Sequence, residues 1–314
     1  KISAILTSGI RDNTPSALPL EPYSFDFSVA TLACDREIQM KSLGSRGSEM
    51  CSDIAAGDVD GDGDVDLLVG TLSPSPAHIG TCIYINDGNG NFTRKEELIS
   101  NANYAHNVGL ADFDGNGTLD AWVAAYWHYH YNICLNTGNH VFLNDGTGHF
   151  TQSQRMDRGI GVRSLALGDI DLDGDIDAVA GGVVYINDGA GLFTAGMNMG
   201  DAHAAELGDL NGDGYPDLVL ERRIMINDRC GGFFDSGKEL NLSGSSDEDL
   251  KLACMDANQS LDVVVATDKI VYVYTNNGTA SFGERSTIQN PEGQQYFQGI
   301  AVADLNGDAF PDVL

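Results

Sequence analysis

One nine-residue pattern, repeated along the chain, limits the fold of these 314 residues more than any other feature. Its fullest copy is Asp58-Val-Asp-Gly-Asp-Gly-Asp-Val-Asp66, preceded by Gly57 and followed by the apolar run Leu67-Leu-Val69. Oxygen-bearing side chains recur at every second residue. Gly61 and Gly63 let the backbone curl, so that Asp58, Asp60, Asp62 and Asp66 can point at one centre while the Asp64 carbonyl fills the gap. A hard cation wants six to eight oxygens at about 2.3–2.6 Å, and Ca2+ tolerates such a flexible mixed set best. The closing acid sits at the ninth position, too early for an EF-hand, and β-type runs flank the loop. The expectation is a calcium loop between two strands.

The pattern returns four times in good form. Asp112, Asp114, Asn116, Thr118 and Asp120 make the second loop; Asp169, Asp171, Asp173, Asp175 and Asp177 make the third. Asp209, Asn211, Asp213, Tyr215 and Asp217 make the fourth, and Asp304, Asn306, Asp308, Phe310 and Asp312 the last, with Thr118, Tyr215 and Phe310 entering through their carbonyls. A weak copy runs from Cys254 to Asp262, with Cys254 in place of the first acid. First positions fall at 58, 112, 169, 209, 254 and 304, a near-regular spacing that marks a repeat architecture. About five structural Ca2+ ions are expected.

A second motif follows each loop: Asn86-Asp-Gly-Asn-Gly-Asn-Phe92, then Asn144 to Phe150, Asn187 to Phe193, Asn227 to Phe233 and Asn276 to Phe282. Asp-Gly and Asn-Gly between apolar runs are strong hairpin signals. Each repeat therefore holds four strands: A before the calcium loop, B after it, and C and D around the hairpin. Four-stranded units of 40–57 residues predict an all-β β-propeller, a single domain over 1–314. Residues 58–314 carry the clear repeats. Residues 1–57 hold a degenerate first unit, in which Asp26-Phe-Ser-Val-Ala30 echoes Asp120-Ala-Trp-Val-Ala124, and a possible ring-closing strand. Seven blades are preferred to six.

The net charge of −29 partly reflects the loops, each of which gathers three or four carboxylates. It argues against nucleic acid and anionic membranes as partners, and no apolar run is long enough for a membrane span. The chain starts at Lys1 rather than Met, as a mature form does after loss of a signal peptide, and holds six cysteines. Both features suit a secreted, extracellular protein with disulfides. Neighbouring pairing (34–51, 82–134, 230–254) is one of 15 connectivities. Glycosylation sequons stand at Asn91, Asn241, Asn258 and Asn277, and Asn116 also fits.

Gly57-Asp-Val-Asp-Gly-Asp-Gly-Asp-Val-Asp66 and Gly208-Asp-Leu-Asn-Gly-Asp-Gly-Tyr-Pro-Asp217, with Asn-Asp-Gly-x-Gly-x-Phe, resemble FG-GAP/VCBS repeats over residues 50–314. Such repeats occur in integrin α-chain propellers, in Psathyrella-type fungal propeller lectins, and in assorted secreted enzymes and adhesins. The resemblance implies the fold and calcium, not an activity. Cys254 and the Arg229-Cys230 interruption of one hairpin depart from the pattern.

Strand direction places calcium loops and Asn-Asp-Gly hairpins on one face, and the variable B–C connections on the other. Those connections are extended at Thr71–Cys82 and Ala124–His140, and loops that vary on a fixed scaffold usually carry function. In the second, Tyr126-Trp-His-Tyr-His-Tyr131 extended would put Trp127, Tyr129 and Tyr131 on one side, with His128 and His130 on the other. Such aromatic faces stack on sugar rings; the competing reading is a strand covering an inter-blade seam. Six residues before each loop stand Ser52, His106, Arg163, His203, Glu248 and Gln298, all polar, at the start of strand A. They mark either a solvated channel mouth or a ligand pocket. Two functions follow. The preferred one is a lectin or adhesion module that recognises glycans or extracellular proteins. The alternative is a polysaccharide lyase or hydrolase working in the funnel opposite the calcium face, with His106, Arg163, His203 and Glu248.

Overall fold

The computed structural model describes residues 50–72, 80–99, 105–125, 138–156, 162–242, 249–267, 270–289, 299–304 and 310–313. All regular elements among them are strands, and five four-stranded antiparallel sheets run in simple sequence order. These are the blades of a β-propeller.

Each blade follows the same plan. In blade 1, β1 (Met50–Gly57) pairs with β2 (Asp66–Leu72), β2 with β3 (Thr81–Asn86), and β3 with β4 (Phe92–Ile99). Blade 2 is β5 (Ala105–Ala111), β6 (Asp120–Ala125), β7 (Gly138–Asn144) and β8 (Phe150–Met156). Blade 3 is β9 (Leu165–Gly168), β10 (Asp177–Ala180), β11 (Val183–Asn187) and β12 (Phe193–Asn198). Blade 4 runs β13 (Ala205–Gly208), β14 (Asp217–Leu220), β15 (Arg223–Asn227), β16 (Phe233–Glu239). Blade 5 runs β17 (Asp249–Ala253), β18 (Asp262–Ala266), β19 (Ile270–Asn276), β20 (Phe282–Gln289). The described part of a sixth is the pair β21 (Val302–Ala303) and β22 (Asp312–Val313). The choice between six and seven blades turns on residues 1–49, which lie outside the described residues.

Burial explains the composition of each strand. The second strand of a blade is covered on both faces, so β6, β10, β14 and β18 are buried throughout and read as continuous apolar runs rather than alternating ones. The fourth strand is an edge. In β12 Phe193 is buried and the five residues after it are exposed. Phe150 and Phe233 anchor their strands in the same way. The B–C connection shrinks to two residues in blades 3 and 4, Gly181-Gly182 and Glu221-Arg222. At Gly182 (φ +76°) a Cβ would fall 1.8 Å from the Gly200 carbonyl oxygen, so the tight turn requires glycine.

Contacts divide the chain into two compact units; the described residues 50–202 belong to one and 203–313 to the other. In the first unit, Leu68, Ile83, Val108, Leu110, Val123 and Phe142 fill the space between blades 1 and 2. Between blades 2 and 3 the filling is aromatic. Trp122 meets Phe193 edge to face at 4.8 Å, Phe113 meets Phe193 at 5.3 Å, and Trp122 Nε1 donates to Asn139 Oδ1 at 3.0 Å. In the second unit, Leu210, Val219, Ile224, Val263 and Tyr272 join blades 4 and 5, and Val264, Val271, Ile300 and Val302 join blade 5 to the sixth. Each such side chain contributes about 1.5–3 kcal/mol through burial.

The cysteine expectation needs correction. Cys230 and Cys254 are separate thiols, so the 230–254 bridge is not formed; Cys34 and Cys134 lie outside the described residues, and the 34–51 and 82–134 pairings with them. Cys82 is buried in β3 with its Sγ against the Gly80 carbonyl oxygen at 3.2 Å, and Cys51 Sγ lies 3.7 Å from the Asp53 carbonyl oxygen. Order along the chain carries no distance information, whereas a disulfide needs Cα atoms within about 7 Å.

Candidate metal centres

The loop from Asp58 to Asp66 links β1 to β2, and corresponding loops link the first two strands of blades 2 to 5. Turning in nine residues requires left-handed backbone at the fourth position, which is met by Gly61, Gly115 and Gly212, and in blade 3 by Leu172 at φ +61°. The first acid organises the turn. Asp58 accepts from Gly61 N at 2.7 Å and Gly63 N at 2.9 Å. Asp209 accepts from Gly212 N at 2.7 Å and Gly214 N at 2.8 Å. The fifth-position side chain accepts from the seventh N–H: Asp62 from Asp64, Asn116 from Thr118, Asp173 from Asp175, Asp213 from Tyr215.

The sequence reading missed how the ninth position is used. Asp66, Asp120, Asp177, Asp217 and Asp262 have no exposed surface, and both oxygens of each carboxylate accept a backbone N–H. In blade 3, Ile170 N donates to Asp177 Oδ2 and Asn187 N to Oδ1, each at 2.8 Å. Phe113 and Asn144 do the same for Asp120, and Met255 and Asn276 for Asp262. The carboxylate thus ties its loop to the hairpin of its own blade. Blade 5 keeps this device although Cys254 replaces the first acid.

The hairpin asparagine ties blades together. Asn144 Nδ2 donates to Val59 O at 2.7 Å, Asn187 Nδ2 to Phe113 O at 2.8 Å and Asn276 Nδ2 to Leu210 O at 2.7 Å. In each case the acceptor is the second loop residue of the preceding blade. The same amide also reaches Leu119 O, Ile176 O or Leu261 O in its own blade. Calcium-type loops and Asn-Asp-Gly hairpins therefore share one face within each blade, as strand alternation predicts.

Three loops bring carboxylates together. One ligand oxygen from each of Asp58, Asp60 and Asp62 lies within 4.8 Å of the others, as do oxygens of Asp112, Asp114 and Asp120, and of Asp169, Asp171 and Asp177. Oxygens around one Ca2+ sit up to roughly 5 Å apart, twice the metal–oxygen distance. Asp60 Oδ1 and Asp171 Oδ1 are buried and accept no hydrogen bond among the described residues. A buried carboxylate oxygen in that condition fits a cation-binding role. These loops can hold a hard divalent ion through Asp58, Asp60 and Asp62, or through the first, third and ninth acids of the second and third loops.

Burial pushes Asp120 and Asp177 up to about 7 and Asp217 up to about 6, against the pull of the two backbone N–H donors and with a further push from neighbouring acids. Asp66 and Asp262 are raised for the same first reason. A carboxyl raised in the folded chain stabilises it fully below the unfolded value near 3.8 and loses that contribution as pH climbs through the folded value. In chelator, the melting temperature should therefore fall as pH rises from about 4 to about 7. A thermal scan in EDTA that is flat or rising over that window would contradict the burial argument.

Other predicted residues are placed less decisively. Ser52 and His106 begin the first strands of blades 1 and 2, Arg163 and His203 precede β9 and β13, and all four are half-buried. Ser52 Oγ donates to Ala105 O, and His203 N donates to Glu221 Oε1 at 3.3 Å. Tyr126, Trp127, His128, Tyr129, Glu248, Asn306 and Asp308 lie outside the described residues, and the last loop is described only at Asp304, Phe310 and Asp312.

These loops and blades make a β-propeller scaffold, and the FG-GAP-like repeat family model matches it over residues 58–123 and 255–314. Among solved structures, a lectin of Agrocybe aegerita, described as specifically recognising non-reducing terminal N-acetylglucosamine, is similar at TM-score 0.54 and 20% identity over 84% of this chain and 73% of that one. A biofilm matrix protein of V. cholerae is similar at 0.49 and 18% over 77% of this chain and 40% of that one. An exotype rhamnogalacturonan lyase is similar at 0.47 and 16%, over 90% and 52% respectively. At 20% identity the likeness to the lectin speaks for the fold alone. No curated protein matches the sequence. No described helix is long and apolar enough to cross a membrane.

Proposed function

We propose that this is a secreted, calcium-stabilised propeller that binds glycans on cell or matrix surfaces. The observation that carries the reading is repetition: one loop-and-hairpin geometry, fixed by the same asparagine and aspartate bonds, recurs from blade to blade. A repeated rigid scaffold offers several equivalent places for a ligand. Weak single-site affinities then combine into avidity gains of roughly 10²–10⁴ when the ligand is multivalent. The Agrocybe lectin is a similar propeller whose described ligand is a terminal sugar. Calcium has the role of holding the loops beginning at Asp58, Asp112 and Asp169, so that the blades present a fixed surface. The ion supplies charge neutralisation; the chain supplies the shape.

The test is a broad glycan array read together with agglutination of glycan-coated beads. Binding to a restricted set of terminal sugars, and bead agglutination reversed by the free sugar, is the expected result. Silence on the array with measurable turnover of a polysaccharide would replace this reading with the lyase or hydrolase one.

A further inference from the structure

The fourth loop differs from the others in two positions that face each other. In blades 1 and 3 the hairpin glycine abuts the seventh-position side chain of the loop: a Cβ on Gly88 would fall 2.5 Å from Asp64 Oδ2, and one on Gly189 2.5 Å from Asp175 Oδ2. The corresponding pairs are Gly146 with Thr118 and Gly278 with Ser260. Blade 4 has Arg229 in place of the glycine and Tyr215 in place of the small or acidic partner. Arg229 keeps the left-handed backbone that glycine favours (φ +63°), and its N–H still donates to Asn227 Oδ1 at 2.6 Å. The turn is therefore preserved while the side chain is free to do something new.

That side chain folds back over the loop. Its guanidinium carbon sits 5.3 Å from the centre of the Tyr215 ring, and Nη2 donates to Asp213 Oδ2 at 2.9 Å. Asp213 is the fifth-position residue, which the repeat pattern assigns to the ion. We propose that Arg229 is a built-in cation: in blade 4 the guanidinium takes the charge-neutralising place of Ca2+, and this loop keeps its shape without a divalent ion. Tyr215 supplies the platform that holds the planar group in position. The loop gathers Asp209, Asp213 and Asp217, with Asn211 at its third position, and so needs less compensation than the five-acid third loop. The chain thus carries one loop fewer for calcium than the repeat count suggests.

The proposal rests on the calcium reading of the other loops, and the experiment separates the two. Bound Ca2+ is counted by atomic absorption on the full chain after gel filtration in saturating Ca2+, and affinities are read by calorimetry. Asp213→Ala should leave the count unchanged, whereas Asp171→Ala should lower it by one. Arg229→Gly, which restores the repeat residue, should raise it by one and should lower the melting temperature more in EDTA than in Ca2+. Arg229→Ala replaces it if the glycine variant does not fold. Loss of one ion in Asp213→Ala, or no gain in either Arg229 variant, overturns the proposal. A wild-type chain that binds no Ca2+ at all instead overturns the calcium reading itself.

Discussion

Removal of divalent ions with EDTA should lower the melting temperature by roughly 15–20 °C, and Ca2+ should restore it. At each of the first three loops, three carboxylates bring ligand oxygens within 4.8 Å of one another. At an effective dielectric of about 20, two unit charges at that distance repel by roughly 3 kcal/mol, and every loop holds several such pairs. An ion present at about a hundred to a thousand times its dissociation constant adds roughly 3–4 kcal/mol of stability per site. Three sites acting together give about 10 kcal/mol, and in a chain of this size each kcal/mol moves the transition by roughly 2 °C. Mg2+ should restore less, because it demands a near-ideal octahedron that the nine-residue loop does not offer. Asp169→Ala should cost more than Asp256→Ala in Ca2+, since the third loop is complete and the fifth begins with Cys254. A melting curve indifferent to complete chelation would sink the calcium reading.

Replacing a ninth-position aspartate is the second large effect, and it separates architecture from metal. In chelator, Asp177→Ala and Asp262→Ala should each cost about 2–6 kcal/mol in urea denaturation. The alanine leaves two buried backbone donors without acceptors, Ile170 N and Asn187 N in blade 3, Met255 N and Asn276 N in blade 5. Each orphaned donor costs about 1–3 kcal/mol. Asn at either position keeps one acceptor oxygen and should recover about half of the loss. With Ca2+ present the two variants diverge, because only Asp177 belongs to a complete cluster of acids. An Asp262→Ala protein within about 0.5 kcal/mol of wild type would show that the fifth-blade carboxylate does not hold its loop to its hairpin.

Much of the architecture was readable because its signals are local. The nine-residue loop, the Asn-Asp-Gly hairpin and the apolar runs between them each lie within one short window, and their recurrence marks the blade boundaries. Loop and hairpin fall together because antiparallel strands alternate direction. The candidate clusters in loops 1, 2 and 3 follow from the alternation of acids and glycines. The cysteines show the opposite case: with no local signal to pair them, sequence order suggested bridges where Cys230 and Cys254 are separate thiols.

By itself, then, the sequence determined the all-β repeat plan and the loops able to hold a cation, since both depend on residues a few positions apart. Only the tertiary structure decided what the asparagine and the last aspartate do. Asn144 reaches Val59 across 85 residues, Asn187 reaches Phe113 across 74 and Asn276 reaches Leu210 across 66, separations fixed by the stacking of one blade on the next. It likewise decided that Arg229 faces Asp213 over Tyr215. The physical reason is that a hydrogen bond or a stacked guanidinium is set by direction and distance in space. Spacing along the chain constrains these only where the backbone between the partners is short and regular.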